Sequence, residues 1–276
     1  MKNKILLLFS FIIFAFNLSA QETYIFNNNR NNYSLVNPAA SGLLYKHFAT
    51  VCGNNSYRNS NSDIKSLYAI YDFDFSKINS GIGINYIYDT ISINEYNKLN
   101  VNYSYHLKLK NERKLSVGLS LGLQKVKTDY KNVRYVNFGN SPYFYGIEEE
   151  YFLNYNFGLM YKSPKILAGF SVNKYSNNNN YERPFQYYFT GLYNINISKN
   201  FEAEPGLDIA LHEGLYDINL ILKYKKNIWI GSTCRNLDNF IFMGGADIKG
   251  KYRIGYSYHK NIIHSSHEIL LAFLIK

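Results

Sequence analysis

The chain has 276 residues, with 30 Lys and Arg against 20 Asp and Glu, a formal charge of +10, and 28 Tyr beside a single Trp. Past residue 20 no apolar run reaches the roughly eighteen residues a membrane helix needs, which argues against a helical membrane protein. The basic residues are scattered and not clustered, which argues against a nucleic-acid binder; abundant Lys, Asn, Ile and Tyr are what an AT-rich genome encodes, so much of the charge is compositional background.

Lys2 and Lys4 precede an apolar run over residues 5–16, closed by Leu18, Ser19 and Ala20 before Gln21. A positive start, a short apolar stretch and a small-residue end predict a cleaved signal peptide over residues 1–20. No Cys follows that end, so a lipid anchor is not expected. Residues 21–42 are read as a periplasmic N-terminal segment and residues 43–276 as one further domain, with no linker dividing it.

From Leu67 onward apolar and polar residues alternate. Leu67, Ala69, Tyr71, Phe73 and Phe75 oppose Tyr68, Ile70, Asp72 and Asp74, and Ile82, Ile84, Tyr86 and Tyr88 oppose Gly81, Gly83, Asn85 and Ile87. The clearest case is a hairpin. Leu99, Val101, Tyr103, Tyr105, Leu107 and Leu109 share one face of its first arm, and Leu115, Val117, Leu119, Leu121 and Leu123 share one face of the second. The same signature recurs at Leu153 to Tyr161, Leu207 to Leu211 and Ile218 to Tyr224. Arms of about ten residues suit a tilted bilayer crossing. Strands survive in lipid only when closed, so the prediction is an all-β fold, a transmembrane outer-membrane β-barrel of about fourteen antiparallel strands. Its greasy set faces hydrocarbon and its Asn, Ser and Gly set lines a lumen. A mean hydropathy of -0.27 fits, because one face of each strand meets water.

Short polar turns fall near residues 76–79, 110–113, 162–165, 198–200, 225–227 and 249–251. Between them lie mostly longer, Asn-rich segments at 53–63, 89–96, 128–150, 175–183 and 259–266. Short turns on one rim and long loops on the other, with an even strand number, place both termini in the periplasm. The longest loop, 128–150, carries Glu148, Glu149 and Glu150 and is read as solvated.

Chemistry is sparse. Cys52 and Cys234 either pair, as exported thiols do, or stand singly on separate strands; neither has a metal-ligand spacing. Ser266, His267 and Glu268 hold the residue types of a hydrolase, yet neighbours on a strand point to opposite faces and cannot form a triad. His212 and Glu213 read as rim residues. No Gly-x-Ser-x-Gly elbow, phosphate loop, zinc-protease motif or dinucleotide fingerprint is present. The expectation is a protein that is no enzyme and takes no cofactor or metal.

Asn37-Pro38-Ala39-Ala40-Ser41-Gly42 follows the leader, and Ser266-His267-Glu268-Ile269-Leu270-Leu271 opens the last strand. Tyr57-Arg58, Arg235 with Asp238, and Ile254-Gly255-Tyr256-Ser257-Tyr258 stand between them. In joint order over the whole mature chain these resemble the PorP/SprF family of type IX secretion system membrane proteins of Bacteroidetes. Ser265 stands where the family usually has Gly, Asn59-Ser60 where Gln-Trp often follows Tyr-Arg, and Lys276 ends the chain with Phe273 three positions earlier. The resemblance implies support of secretion or surface attachment of cargo with a C-terminal sorting domain, such as adhesins, alongside other parts of the secretion machinery and within outer-membrane lipid. A passive porin or small-solute transporter shares every physical feature and is the alternative. Asn37, Pro38, Gly42, Ser266, His267 and Glu268 are then the motif positions, structural or partner-docking. Pro38 and Gly42 would turn the periplasmic segment into the first strand, and His267 and Glu268 would face opposite ways near the closing seam.

Overall fold

Two-residue alternation dictates pleated strands with one apolar face, and the computed structural model realises it as a closed sheet. It describes residue 27 and residues 32–58, 64–130, 146–176, 184–260 and 264–275. The strands are β1 (His47–Arg58), β2 (Ile64–Phe75), β3 (Ser80–Ile91), β4 (Asn94–Lys108), β5 (Lys114–Asp129), β6 (Ile147–Lys162), β7 (Ile166–Ser176), β8 (Gln186–Tyr193), β9 (Ile195–Asn196), β10 (Phe201–Ala210), β11 (Leu215–Tyr224), β12 (Ile228–Arg235), β13 (Asn239–Ile248), β14 (Tyr252–Lys260) and β15 (His264–Ile275).

Every neighbour is antiparallel, and the first strand pairs with the last from His47 opposite Ile275 to Arg58 opposite His264. β8 and β9 are two pieces of one strand, both paired with β10. The continued register puts Pro205 opposite Tyr193, and proline brings no N–H to the ladder, so the pairing lapses there and resumes at Ile195. Counted this way the barrel has fourteen staves, as the alternation predicts.

The expected faces hold. Val101, Leu119, Leu121, Ile230 and Phe242 are at least half exposed on the exterior, while Asn100, Asn102, Ser104, Ser116 and Asn154 are buried within. Outward aromatics mark strand ends, with Phe75, Tyr193, Phe201, Tyr224 and Tyr252 toward the rim that holds Ile275, where amphipathic rings suit a lipid headgroup layer. That rim also carries the short turns. The turn after β4 takes Asn111 and Glu112 through φ of 60° and 57°, the positive-φ pair whose backbone twist matches the right-handed twist of the strands it joins.

Three loop expectations change. Residues 89–96 are not a loop: β3 and β4 run on to a turn at residues 92–93, with Ile91 opposite Asn94. β1 covers most of residues 53–63, and Glu148, Glu149 and Glu150 are exposed positions on β6, paired with β5, not loop residues. In each case a run of polar residues, Asn-rich or acidic, reads as a loop, although polar residues suit the part of a strand that rises above the membrane. The predicted signal peptide, and the middle of the 128–150 segment, lie outside the described residues.

Both cysteines are free. Cys52 is buried inside, whereas Cys234 is opposite Ile218 on the outward face, so the wall of the barrel separates them.

Candidate functional site

The lumen is where the two end motifs meet. Asn37 accepts a hydrogen bond at its side-chain oxygen from the Ala39 N–H at 3.0 Å, capping a single 3₁₀ turn, Pro38–Ala40. Proline suits the first turn because its missing donor has no partner to lose there. Gly42 follows with φ of +69°, and a Cβ there would sit 2.8 Å from the Phe73 carbonyl, so both conformation and space demand glycine. The chain then reaches the short-turn rim, where the Lys46 N–H donates to the Ile275 carbonyl at 2.7 Å.

This segment is not outside the barrel. Residues 32–42, expected as part of a periplasmic extension, are folded into the lumen against β3 to β7. The cause is a wall that supplies what a buried backbone needs. The Ser34 carbonyl accepts from Asn85 (2.6 Å) and Asn102 (3.1 Å), and the Val36 carbonyl from Asn156 (3.1 Å) and Ser171 (2.6 Å). The Ala39 carbonyl accepts from Ser116 (2.6 Å), the Ser41 carbonyl from Ser104 (2.6 Å), and the Leu43 carbonyl from the Lys162 ammonium (3.2 Å). In return the Asn37 amide donates to the carbonyls of Leu159 and Phe170 at 3.0 and 3.2 Å. Buried backbone groups left unpaired would each cost about 1–3 kcal/mol, so this exchange makes the plugged lumen tolerable.

Apolar packing completes it. Tyr33, Ala39, Ala40 and Leu43 pack on Met160 and Leu167, and Leu35 packs with Phe48, Tyr68, Ile70, Leu270 and Leu274. The lumen is therefore less watery than its Asn and Ser suggest.

Ser266 and Glu268 hold the other end of the segment. Glu268 is fully buried and its Oε2 accepts from the Asn27 N–H at 3.0 Å, and the Asn27 amide donates to the Ser266 hydroxyl at 3.3 Å. Asn32 donates to the Tyr68 hydroxyl between these points. His267 faces outward, its Nδ1 2.7 Å from the Tyr256 hydroxyl and its ring between Tyr57 and Tyr258. The expected opposition of His267 and Glu268 is what the strand delivers, and Ser266, His267 and Glu268 do not converge. Arg235 pairs bidentately with Asp217, both distances 2.8 Å.

Sequence reasoning named the motif positions but put Asn37, Pro38 and Gly42 outside the barrel, and it missed the residues that receive them: Asn85, Asn102, Ser104, Ser116, Asn156 and Ser171. A signal was available. Gly81, Gly83, Gly118, Gly158 and Gly169 stand on the polar faces of β3, β5, β6 and β7, where a lumen of this width otherwise carries longer side chains. A Cβ on Gly118 would fall 2.3 Å from the Ala39 nitrogen, and one on Gly158 2.0 Å from the Asn37 oxygen.

A closed barrel, apolar outside and occupied inside by its own N-terminal segment, defines an outer-membrane barrel protein with an internal plug. Solved structures agree on the fold. The chain is similar to the Acinetobacter baumannii outer membrane protein Omp33, with 12% identity, 85% of this chain and 100% of that one covered, and a TM-score of 0.54. It is also similar to the Pseudomonas putida toluene transporter TodX, with 10% identity, 92% and 94% covered, and a TM-score of 0.51. No curated protein matches it. The family model described as type IX secretion system membrane protein PorP/SprF matches residues 18–273, and the chain belongs to that family.

Proposed function

We propose that this barrel supports secretion or surface attachment of type IX cargo proteins, such as adhesins with a C-terminal sorting domain, and catalyses no reaction. Its short-turn rim, with the start of β1 and Ile275, is assigned to the periplasm, and its greasy exterior to outer-membrane lipid. Membership of the family supports the role in secretion. The occupied lumen is the observation that favours it over the porin alternative, since a passive pore needs a continuous water path and five backbone carbonyls of the N-terminal segment are instead fastened to the wall.

Deleting the gene and quantifying proteins on the cell surface tests the reading. Loss of sorting-domain cargo from the exterior is expected, and cargo reaching the surface in normal amounts refutes it. In planar bilayers the purified protein should show no steady open-channel steps; porin-like conductance would restore the alternative.

A further inference from the structure

The N-terminal segment fills the lumen against β3 to β7 but leaves room on the other side. Between it, the turn from β6 to β7 and the inner faces of β8, β10, β11, β12 and β14 lies a cavity of about 200 Å³, open at the short-turn rim. Trp229 is the largest side chain lining it. It points inward from β12 and lies against Gly245 and Gly255 on the next two strands, where a Cβ would come within 2.4 and 3.1 Å of the indole. Trp229 is 4% exposed, and its indole N–H is buried without a hydrogen-bond acceptor. Tryptophan normally finds an acceptor when buried.

Leu167, Leu192 and Ile221 continue the apolar wall. The charges are lopsided: Lys162, Lys165, Lys223 and Arg253 line the cavity with Glu204 as the single carboxylate. Lys223 pairs with Glu204 at 2.7 Å and Arg253 with Asp247 at 2.7 Å, and Lys162 holds the Leu43 carbonyl. Lys165, exposed at the lip, has no acidic partner among the described residues.

We propose that this cavity is a binding site for a carboxylate carried on a small branched aliphatic body. The surplus cations select an anion, with Lys165 the group whose charge is unspent inside the protein. Trp229, Leu167, Leu192 and Ile221 select the aliphatic part, and the volume keeps it short. Such a carboxylate comes either as a free acid or as the end of a polypeptide chain finishing in a leucine-like residue.

Trp229 is the only tryptophan in the chain, so emission from the full-length protein in detergent reports this cavity alone. Isocaproate stands for the free acid and N-acetyl-leucine for a chain end, each against its amide. The expected result is a saturable emission change with one or both acids and none with the amides. A response to isocaproate alone assigns a free acid, and a response to N-acetyl-leucine alone assigns a chain end. Lys165→Gln should weaken binding by about two- to fivefold, the scale of one exposed charge contact. Trp229→Phe keeps an aromatic ring beside Gly245 and Gly255 but removes part of the apolar wall, and calorimetry should show weaker binding. No saturable change with either acid, or equal binding of acid and amide, overturns the proposal.

Discussion

Gly118 lacks a side chain because Ala39 occupies the place one would take. Gly118→Val tests this, since valine suits a strand and the atoms nearest its Cβ all belong to the plug, Pro38 and Ala39. The variant should still form a barrel, judged by its heat-modifiable gel mobility, while its lumen opens to ions in planar bilayers. Gly42→Ala forces an L residue into a left-handed conformation against the Phe73 carbonyl, and should lower stability in lipid by about 1–3 kcal/mol, read from urea unfolding midpoints. Arg235 and Asp217 are each nearly nine-tenths buried and bonded in both prongs. Arg235→Met alone strands a carboxylate and should cost about 3–5 kcal/mol, whereas adding Asp217→Asn should recover much of the loss. Mass spectrometry of the unreduced protein should find Cys52 and Cys234 both as thiols, because they lie on opposite faces of the wall.

At the scale of elements, the strands were legible and the plug was not, for one physical reason. A strand carries its own signal, since alternation is local and survives whatever the far side of the barrel contains. Residues 32–44 have no period at all. Their place is set by partners such as Ser104, Ser116 and Asn156, far along the chain, which bind main-chain carbonyls and leave no trace in the side chains of the segment. Pro38 and Gly42 signalled a turn, which is correct, but a turn seen alone does not say whether it faces solvent or lies in a lumen. At the end motif two-residue periodicity sets only that His267 and Glu268 face opposite ways; the structure shows Glu268 inward and His267 outward. Excising residues 32–43 should therefore leave the sheet intact and produce a conducting barrel of lower stability, since Leu43, Ala39 and Tyr33 no longer cover Met160 and Leu167. A deletion variant that stays electrically silent would show that the segment is not what closes the lumen.

The whole molecule depends on an apolar exterior. Leu121 is 57% exposed on the outward face of β5, in mid-strand. Leu121→Lys places a charge in hydrocarbon and should cost about 2–4 kcal/mol in bilayer unfolding, against little for a lysine at the Ile228 position beside a turn. A packed sandwich would invert the ranking of such changes only if its greasy set pointed inward, which it does not.

The seam between β1 and β15 adds a condition on time. The sheet cannot shut until the final stretch of polypeptide has been made, yet the stopper is attached directly ahead of the first stave and is made before it. Ser266 and Glu268 sit on that last stave, so the act that seals the cylinder also clamps Asn27. Loading must then precede or accompany sealing, and truncating the tail should leave the leading end accessible to protease in the same step that leaves the wall unfinished.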